Sequence, residues 1–167
     1  MDYKIRSATP NDHDLIYILK SQSVRPYVEK IWGWDESYQQ NDFDRDFSQM
    51  DQFEVIEING EFIGFVQYYL EHSCYHVVEI HLLPEYRGNG IGSNILKALQ
   101  EICVAQGKKI QLGCFKENVR AKNLYQKLGF IEIGETDTHY IMEYDKGSVS
   151  VNRDVTQMNR RLNDGMK

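Results

Sequence analysis

Leu82-Leu83-Pro84-Glu85-Tyr86-Arg87-Gly88-Asn89-Gly90-Ile91-Gly92-Ser93 is the stretch on which the reading of this chain turns. An apolar run, His76–Leu83, leads into it, and a helix-patterned run, Ile91–Ala105, leads out. Gly88, Gly90 and Gly92 alternate between them. Glycine accepts backbone angles that other residues resist, and its missing side chain lets a ligand approach the main chain. A strand, such a turn and a helix start together present free N–H groups at the positive end of a helix dipole, which is an anion site suited to phosphate. The spacing narrows the ligand. G-x-G-x-x-G fails, because counting from Gly88 or Gly90 puts Ser93 or Ile95 at the last position. No Gly-Lys-Ser/Thr triplet closes a P-loop. What remains is R-x-x-G-x-G, as Arg87, Gly90 and Gly92, or else a glycine-rich turn without a ligand.

The flanking elements follow from pattern. Tyr3–Ser7 alternates as a first strand. Thr9-Pro10-Asn11-Asp12 is a helix start, with Thr9 to cap, Pro10 in the first turn and Asp12 at the capping-box position. Leu15, Ile16, Ile18 and Leu19 predict its buried stripe, and Phe43, Phe47 and Met50 predict that of a second helix. Phe53–Ile58 and Phe62–Leu70 flank Asn59-Gly60, a hairpin signal. Strands are expected at Cys74–Leu83, Lys109–Phe115, Phe130–Ile133 and Thr138–Tyr144. Ile91–Ala105 is a helix with Ile91, Ile95, Leu99, Ile102 and Cys103 on one side, ending at Gly107. Asn118–Leu128 is another, capped by Asn118 and stopped at Gly129. The order β-α-α-β-β-β-α-β-α-β-β indicates an α/β or α+β sheet with helices on both faces.

Composition bounds the function. A chain of 167 residues suggests one domain with a real core. No apolar run approaches a membrane span, and the start, MDYKIRSATPND, lacks the apolar core of a secretory peptide. The scattered Cys74, Cys103 and Cys114 have no ligand or redox spacing and fit free, buried thiols in a reducing cytoplasm. Of the five histidines only His72 and His76 are four apart, and they flank a turn between strands rather than share a helix face, so no metal is implied. A net charge of −6 argues against nucleic acid. Residues 1–72 carry −8 and residues 73–167 carry +2, which places the basic share with the glycine turn. Tyr27, Trp32 and Trp34, close to Glu29, Asp35 and Glu36, suit a pocket for a cationic amine or else cover the core. Trp32 and Trp34 are two apart around Gly33 and cannot share a helix face, so one lies on an irregular connection. The polar stretch from Lys146 to Lys167 reads as an extension after a domain of residues 1–145, with a short helix around Val155–Leu162.

With that order in place, the chain resembles the GNAT superfamily of N-acetyltransferases. Arg87-Gly88-Asn89-Gly90-Ile91-Gly92, preceded by Pro84-Glu85-Tyr86, is similar to the family's [R/Q]-x-x-G-x-[G/A] loop. Asn118-Val119-Arg120-Ala121-Lys122-Asn123-Leu124-Tyr125, closed by Leu128-Gly129-Phe130, resembles its N-x-x-A-x-x-L-Y…G-F helix. The resemblance covers residues 3–144. Trp32–Glu36 and Gly134–Tyr140 further resemble a bacterial subgroup of small stand-alone members.

The resemblance implies a mixed, mostly antiparallel sheet of about seven strands with helices on both faces. It implies acetyl transfer from acetyl-CoA, without a metal, directly to a primary amine: a small cationic amine, an amino acid or a peptide N-terminus. Backbone N–H groups of Arg87, Gly88, Asn89, Gly90, Ile91, Gly92 and Ser93 would bind the pyrophosphate. Leu82 and Leu83 would offer main-chain groups to pantetheine by strand addition. Asn118 would touch the same arm. Tyr125, two helical turns on, would hydrogen-bond the leaving sulfur. Glu79 is the expected base because the family often places a carboxylate on this strand, with His81 on the same face as rival or partner. His139 and Tyr140 would reach the acceptor. A homodimer is one option, and a non-catalytic acyl-CoA-binding sensor or partner module is the alternative function.

Overall fold

The computed structural model describes residues 2–147. The element order is β1 Lys4–Ser7, α1 His13–Trp32, α2 Glu36–Phe47, β2 Phe53–Ile58, β3 Glu61–Glu71, β4 Cys74–Leu82, α3 Ile91–Ala105, β5 Lys109–Phe115, α4 Val119–Lys127, β6 Ile131–Glu135 and β7 His139–Tyr144. The seven strands form one sheet in the order β1-β2-β3-β4-β5-β7-β6. It is antiparallel along β1-β2-β3 and β5-β7-β6, and β4 runs parallel to β5. The short helix expected around Val155–Leu162 lies outside the described residues. No described helix is long and apolar enough to cross a membrane. The described residues divide into two compact units, residues 2–68 with 78–92 and residues 69–77 with 93–147.

In the first unit, Asp12 forms the entry to α1. Its carboxylate accepts the Thr9 N–H at 2.7 Å and both terminal nitrogens of Arg6 at 2.8 Å, while Arg6 Nε reaches Glu57 at 2.7 Å. This fork-on-fork pair ties β1 and β2 to the helix start. Helix α1 carries Pro26 inside it and runs on to Trp32. Gly33, at φ 81°, stops it, and Trp34 lies on the connection to α2, as the two-residue spacing of the tryptophans requires. Ile16 and Leu19 are buried, but Leu15 and Ile18 are about half exposed at 47% and 51%. The four-residue stripe expected at this point is therefore two residues wide. Ile16 and Leu19 pack with Phe43, Phe47, Phe53, Val55 and Phe65 into an aromatic core.

The β2–β3 turn is Asn59 at φ 53° and Gly60 at φ 83°, the left-handed pair that an Asn-Gly hairpin requires. The register then shifts, so that Ile56 faces Gly64 and Glu57 faces Phe62. This bulge aims the Ile63 carbonyl at the Leu83 N–H, 2.8 Å away. At Gly64 the backbones come very close: a Cβ there would lie 2.3 Å from the His81 carbonyl oxygen and 2.8 Å from Leu82 Cδ2. Gly64→Ala is expected to push β4 away and destabilise the protein by about 1–3 kcal/mol. A urea titration checks this, and an unchanged midpoint would refute the close approach.

In the second unit, β7 lies between β5 and β6, with Ile110 opposite Tyr144 and Phe115 opposite His139. Helix α3 buries Ile95, Leu96, Leu99 and Cys103, whereas Ile102 is 45% exposed. Leu96 thus joins the buried side, and Ile102, expected there, does not. Gln100 Nε2 donates to the Leu128 carbonyl at 2.7 Å, which fixes the end of α4 to α3.

Candidate functional site

Strand β4 ends at Leu82, Pro84–Tyr86 makes one tight 3-10 turn, and α3 starts at Ile91. Gly88 at φ 80° and Gly90 at φ 81° turn the chain between them. Both positions lie in the left-handed region that favours glycine. Arg87, Gly88, Asn89 and Gly90 are exposed, and the first N–H groups of α3 have no partner within their own helix. The Arg87 side chain braces this turn. Its Nε donates to the Leu82 carbonyl at 2.7 Å, and one terminal nitrogen lies 3.4 Å from Ser23 Oγ on α1. The turn is thus held from behind while its main chain faces outward, an arrangement able to bind a phosphate.

The strand leading into the turn divides its main-chain groups. The Leu83 N–H is committed to the Ile63 carbonyl on β3, which leaves the carbonyl of Leu83 as its main-chain group for a ligand. Alternation turns the neighbouring groups of Leu82 to the opposite edge. The β4–β5 register runs from Cys74 opposite Lys109 to Val77 opposite Leu112, and β4 continues to Leu82.

Beside the turn lies a buried charge cluster. Glu79 on β4 is buried and receives Lys20 Nζ at 2.9 Å from α1. Asp46 on α2 lies 3.8 Å from the same ammonium, and the Phe43 ring centroid is 5.7 Å away. Burial alone would raise the pKa of Glu79, but Lys20 and His81 outweigh it and hold the carboxylate down at about 2. The ammonium of Lys20 is correspondingly held above its usual range, because the attraction of Glu79 and Asp46 outweighs its burial. His81 Nε2 is 3.3 Å from Glu79 Oε2. The Phe65 ring lies against the imidazole at 5.5 Å between centroids. Neither Lys20 nor Ser23 was singled out from the sequence. A signal for Lys20 was there, since it stands four residues after Ile16 and four before Val24, on the face that α1 buries.

Asn118 caps α4, its Oδ1 accepting the Ala121 N–H at 3.1 Å. Two turns on, Tyr125 is 9% exposed and packs on Phe130 with centroids 5.9 Å apart. Burial, with a smaller contribution from Cys114, raises its phenol well above the ordinary tyrosine range. Cys114 is itself buried, and its thiol is pushed up to about 11, which suits a packed side chain rather than a nucleophile.

The remaining expected contacts fall differently. His139 is 1% exposed, stacks on Phe115 at 4.2 Å between centroids and has Nδ1 2.8 Å from Thr138 Oγ1. Burial lowers its pKa to about 4, so it is a neutral core imidazole. Tyr27, Trp32 and Trp34 are half-buried. The Trp34 indole N–H donates to Glu36 at 2.8 Å, and the Arg25 guanidinium covers its ring at 5.2 Å. That ring therefore already carries a cation of the chain's own. Among the described residues, no group of three His, Cys, Asp or Glu side chains is placed to hold a metal.

The model of the acetyltransferase (GNAT) family matches residues 16–130, an interval that takes in the Arg87–Ser93 turn and the Asn118–Tyr125 helix. The chain belongs to the GNAT acetyltransferase family. A thialysine N-epsilon-acetyltransferase of Bos taurus is 29% identical over 103 residues, 55% of this chain and 61% of the relative. An uncharacterized N-acetyltransferase of Methanocaldococcus jannaschii is 31% identical over 141 residues, 78% of this chain and 61% of the relative. The chain thus spans about three-fifths of these relatives' length. The crystal structure of the PaiA N-acetyltransferase from Thermoplasma acidophilum in complex with coenzyme A shares the fold, with a TM-score of 0.67 and 21% identity. It covers 87% of this chain and 99% of that one. The expected sheet of this GNAT member is the one observed.

Proposed function

We propose that this protein transfers the acetyl group of acetyl-CoA to a primary amine. The observation that carries the reading is the Arg87–Ser93 turn, with its main chain outward at the start of α3 and its guanidinium committed to the scaffold. Such a turn fits a diphosphate: the N–H groups of Gly88 to Ser93 supply donors, and the helix dipole favours the negative charge. Leu82 would pair with the pantetheine arm along the edge of β4, and Asn118 would meet the same arm. PaiA, which shares the fold, was crystallised with coenzyme A.

The chemistry asks little of the chain beyond placement and two proton positions. An alkylammonium near pKa 10 must lose a proton before its nitrogen can attack. The Glu79–His81 pair on β4 is the proposed acceptor of that proton. As the new C–N bond forms, the C–S bond breaks and the sulfur leaves as a thiolate that takes up a proton. Tyr125, whose raised pKa keeps it protonated at neutral pH, would donate a hydrogen bond to that sulfur. The net products are an amide, a thiol and one proton released to water. The acceptor is proposed to be a small primary amine of the lysine-side-chain kind, because a relative is by name an N-epsilon-acetyltransferase. Tyr27 and Trp32 remain proposed acceptor contacts. Trp34, with Arg25 over its ring, would meet an acceptor through Glu36 and the rim of the indole.

Thiol release from acetyl-CoA over a panel of lysine analogues, polyamines, amino acids and peptide N-termini tests the reading. Release that depends on one amine class is expected, whereas silence across the panel with intact acetyl-CoA binding would favour a sensor. Tyr125→Phe is expected to lower kcat about 100-fold while leaving acetyl-CoA affinity nearly unchanged. Unchanged turnover would remove Tyr125 from the mechanism.

A further inference from the structure

Helix α1 turns three sides to its surroundings, and two of them are packed against other described residues. His13, Tyr17 and Lys20 face α2, where they meet Asp44 at 2.8 Å, Glu36 at 2.5 Å and Asp46 at 3.8 Å. Ile16 and Leu19 enter the aromatic core. Leu15 and Ile18, three apart on the remaining side, stay about half exposed although the helix pattern expects them inside. They form one wall of a groove of about 370 Å³. Phe62, beside the β2–β3 turn, and Leu83, just past the end of β4, form the other. The volume falls in the range of small-ligand pockets, roughly 300–1,000 Å³.

The charges of the groove decide which ligand suits it. Asp12, Glu57 and Glu61 line it against the single guanidinium of Arg6. That guanidinium is already committed: its terminal nitrogens reach Asp12 at 2.8 Å, and Nε reaches Glu57 at 2.7 Å. Arg6 holds the Asp12 carboxyl down at about 2, so Asp12 stays charged at neutral pH. Among the described lining residues, no cation is left to receive a ligand's anion. Glu61 is exposed at the rim and has no ion-pair partner among the described residues. Beside it, a Cβ at Gly60 would meet nothing within 4 Å, so the approach along the turn is open. Apolar walls favour a buried hydrocarbon chain, and an unneutralised carboxylate at the rim favours a positive charge at its end.

We propose that this groove is a second ligand site, for a small amphiphilic cation whose hydrocarbon chain lies on Leu15, Ile18 and Phe62 and whose ammonium meets Glu61. Leu83 excepted, none of its residues belongs to the donor or acceptor contacts proposed above. The site therefore stands or falls independently of acetyl transfer. It also accounts for the two apolar residues of α1 that the core does not take.

Backbone-amide NMR of the full chain, titrated with octyltrimethylammonium, tests it. A quaternary nitrogen carries no N–H and cannot accept an acetyl group, so this probe does not report on turnover. Saturable shifts centred on Leu15, Ile18, Gly60 and Phe62 are expected. Hexyltrimethylammonium should bind about tenfold more weakly for its two missing methylenes. Octanoate, with a similar chain and the opposite charge, should bind about fivefold more weakly at low ionic strength, and added salt should narrow that gap. Ile18→Gln should weaken the probe about tenfold, and Glu61→Lys should abolish the preference for the cation. Both variants should keep the parent's urea midpoint and its acetyl-CoA affinity. If Ile18→Gln disturbs folding, Glu61→Lys at its exposed position still decides the matter. No saturation at about 10 mM probe, shifts at Tyr27 and Trp34 in place of the groove, or octanoate binding as tightly as the cation would each overturn the proposal. A dimer of the free protein that Ile18→Gln splits would make a second copy the occupant, and that too would overturn it.

Discussion

Replacing Lys20 with methionine is expected to destabilise the protein by about 3–5 kcal/mol, the usual cost of removing one partner from a buried ion pair. Lys20 and Glu79 are both buried and 2.9 Å apart. The penalty arises less from the lost attraction than from the carboxylate left behind. With Lys20 gone, Glu79 must either stay charged without its main partner or take up a proton. The pH dependence has a fixed sign. The Glu79 carboxylate is held at about 2, below the ordinary 4.5, so its stabilisation is present above pH 4.5 and lost as pH falls toward 2. Lys20 is held above 10.5, so its share is present below pH 10.5 and lost as pH rises beyond. Lys20→Met/Glu79→Met, which removes both charges, should recover most of the loss. Urea unfolding at neutral pH measures all three proteins. A single variant within about 1 kcal/mol of the parent would place this pair among weak surface ion pairs and contradict its burial.

The second large effect is acid sensitivity from His139. Its pKa is lowered from 6.5 to about 4 by burial. Above pH 6.5 both folded and unfolded chains carry a neutral ring, and nothing is gained or lost. Between pH 6.5 and 4 the unfolded chain takes up a proton that the folded chain refuses, so stability falls with falling pH by roughly 3 kcal/mol. His13 acts in the opposite sense. Asp14 and Asp44, each 2.8 Å from one of its ring nitrogens, hold its pKa above 6.5, so its contribution is full below pH 6.5 and fades as pH rises. The informative quantity is therefore a difference between two proteins. His139→Phe should flatten the dependence of the urea midpoint between pH 7 and 4 relative to the parent. Parallel curves would mean that the ring at this position is not buried neutral.

Local chemistry made most of the fold legible. Ile91–Ala105 and Lys109–Phe115 are bounded where glycines and a change of hydrophobic period place them, and Asn59-Gly60 makes its turn. Tertiary contact decided what the pattern left open. Leu15, Ile16, Ile18 and Leu19 cover more than one side of a helix, and periodicity does not say which pair meets the core. The aromatic set of Phe43, Phe47, Phe53 and Phe65 selected Ile16 and Leu19. On α3 the core took Leu96 and left Ile102 to solvent. The placement of β7 between β5 and β6 is a non-local pairing that no short segment encodes. Among candidate site residues, the glycine turn and the Asn118 cap showed themselves through backbone rules. The partners of Arg87, Leu83 and Glu79 did not, since Ser23, Ile63 and Lys20 are brought to them by the fold. Lys20 reads as an ordinary surface lysine unless its place in the row Ile16, Lys20, Val24, Val28 is given more weight than its charge.

All of the functional reading depends on the Arg87–Ser93 turn binding the donor. Calorimetric titration of the protein with acetyl-CoA, with ATP as control, and of Gly90→Val alongside, tests that dependence most directly. Gly90 has φ 81°, with open space around a would-be side chain, so a β-branched residue there strains the turn without filling a core. One saturable acetyl-CoA site is predicted, with far weaker ATP binding and at least about tenfold weaker acetyl-CoA binding in Gly90→Val, equivalent to about 1.4 kcal/mol. No saturable acetyl-CoA binding, or binding that ignores Gly90→Val, would contradict the account.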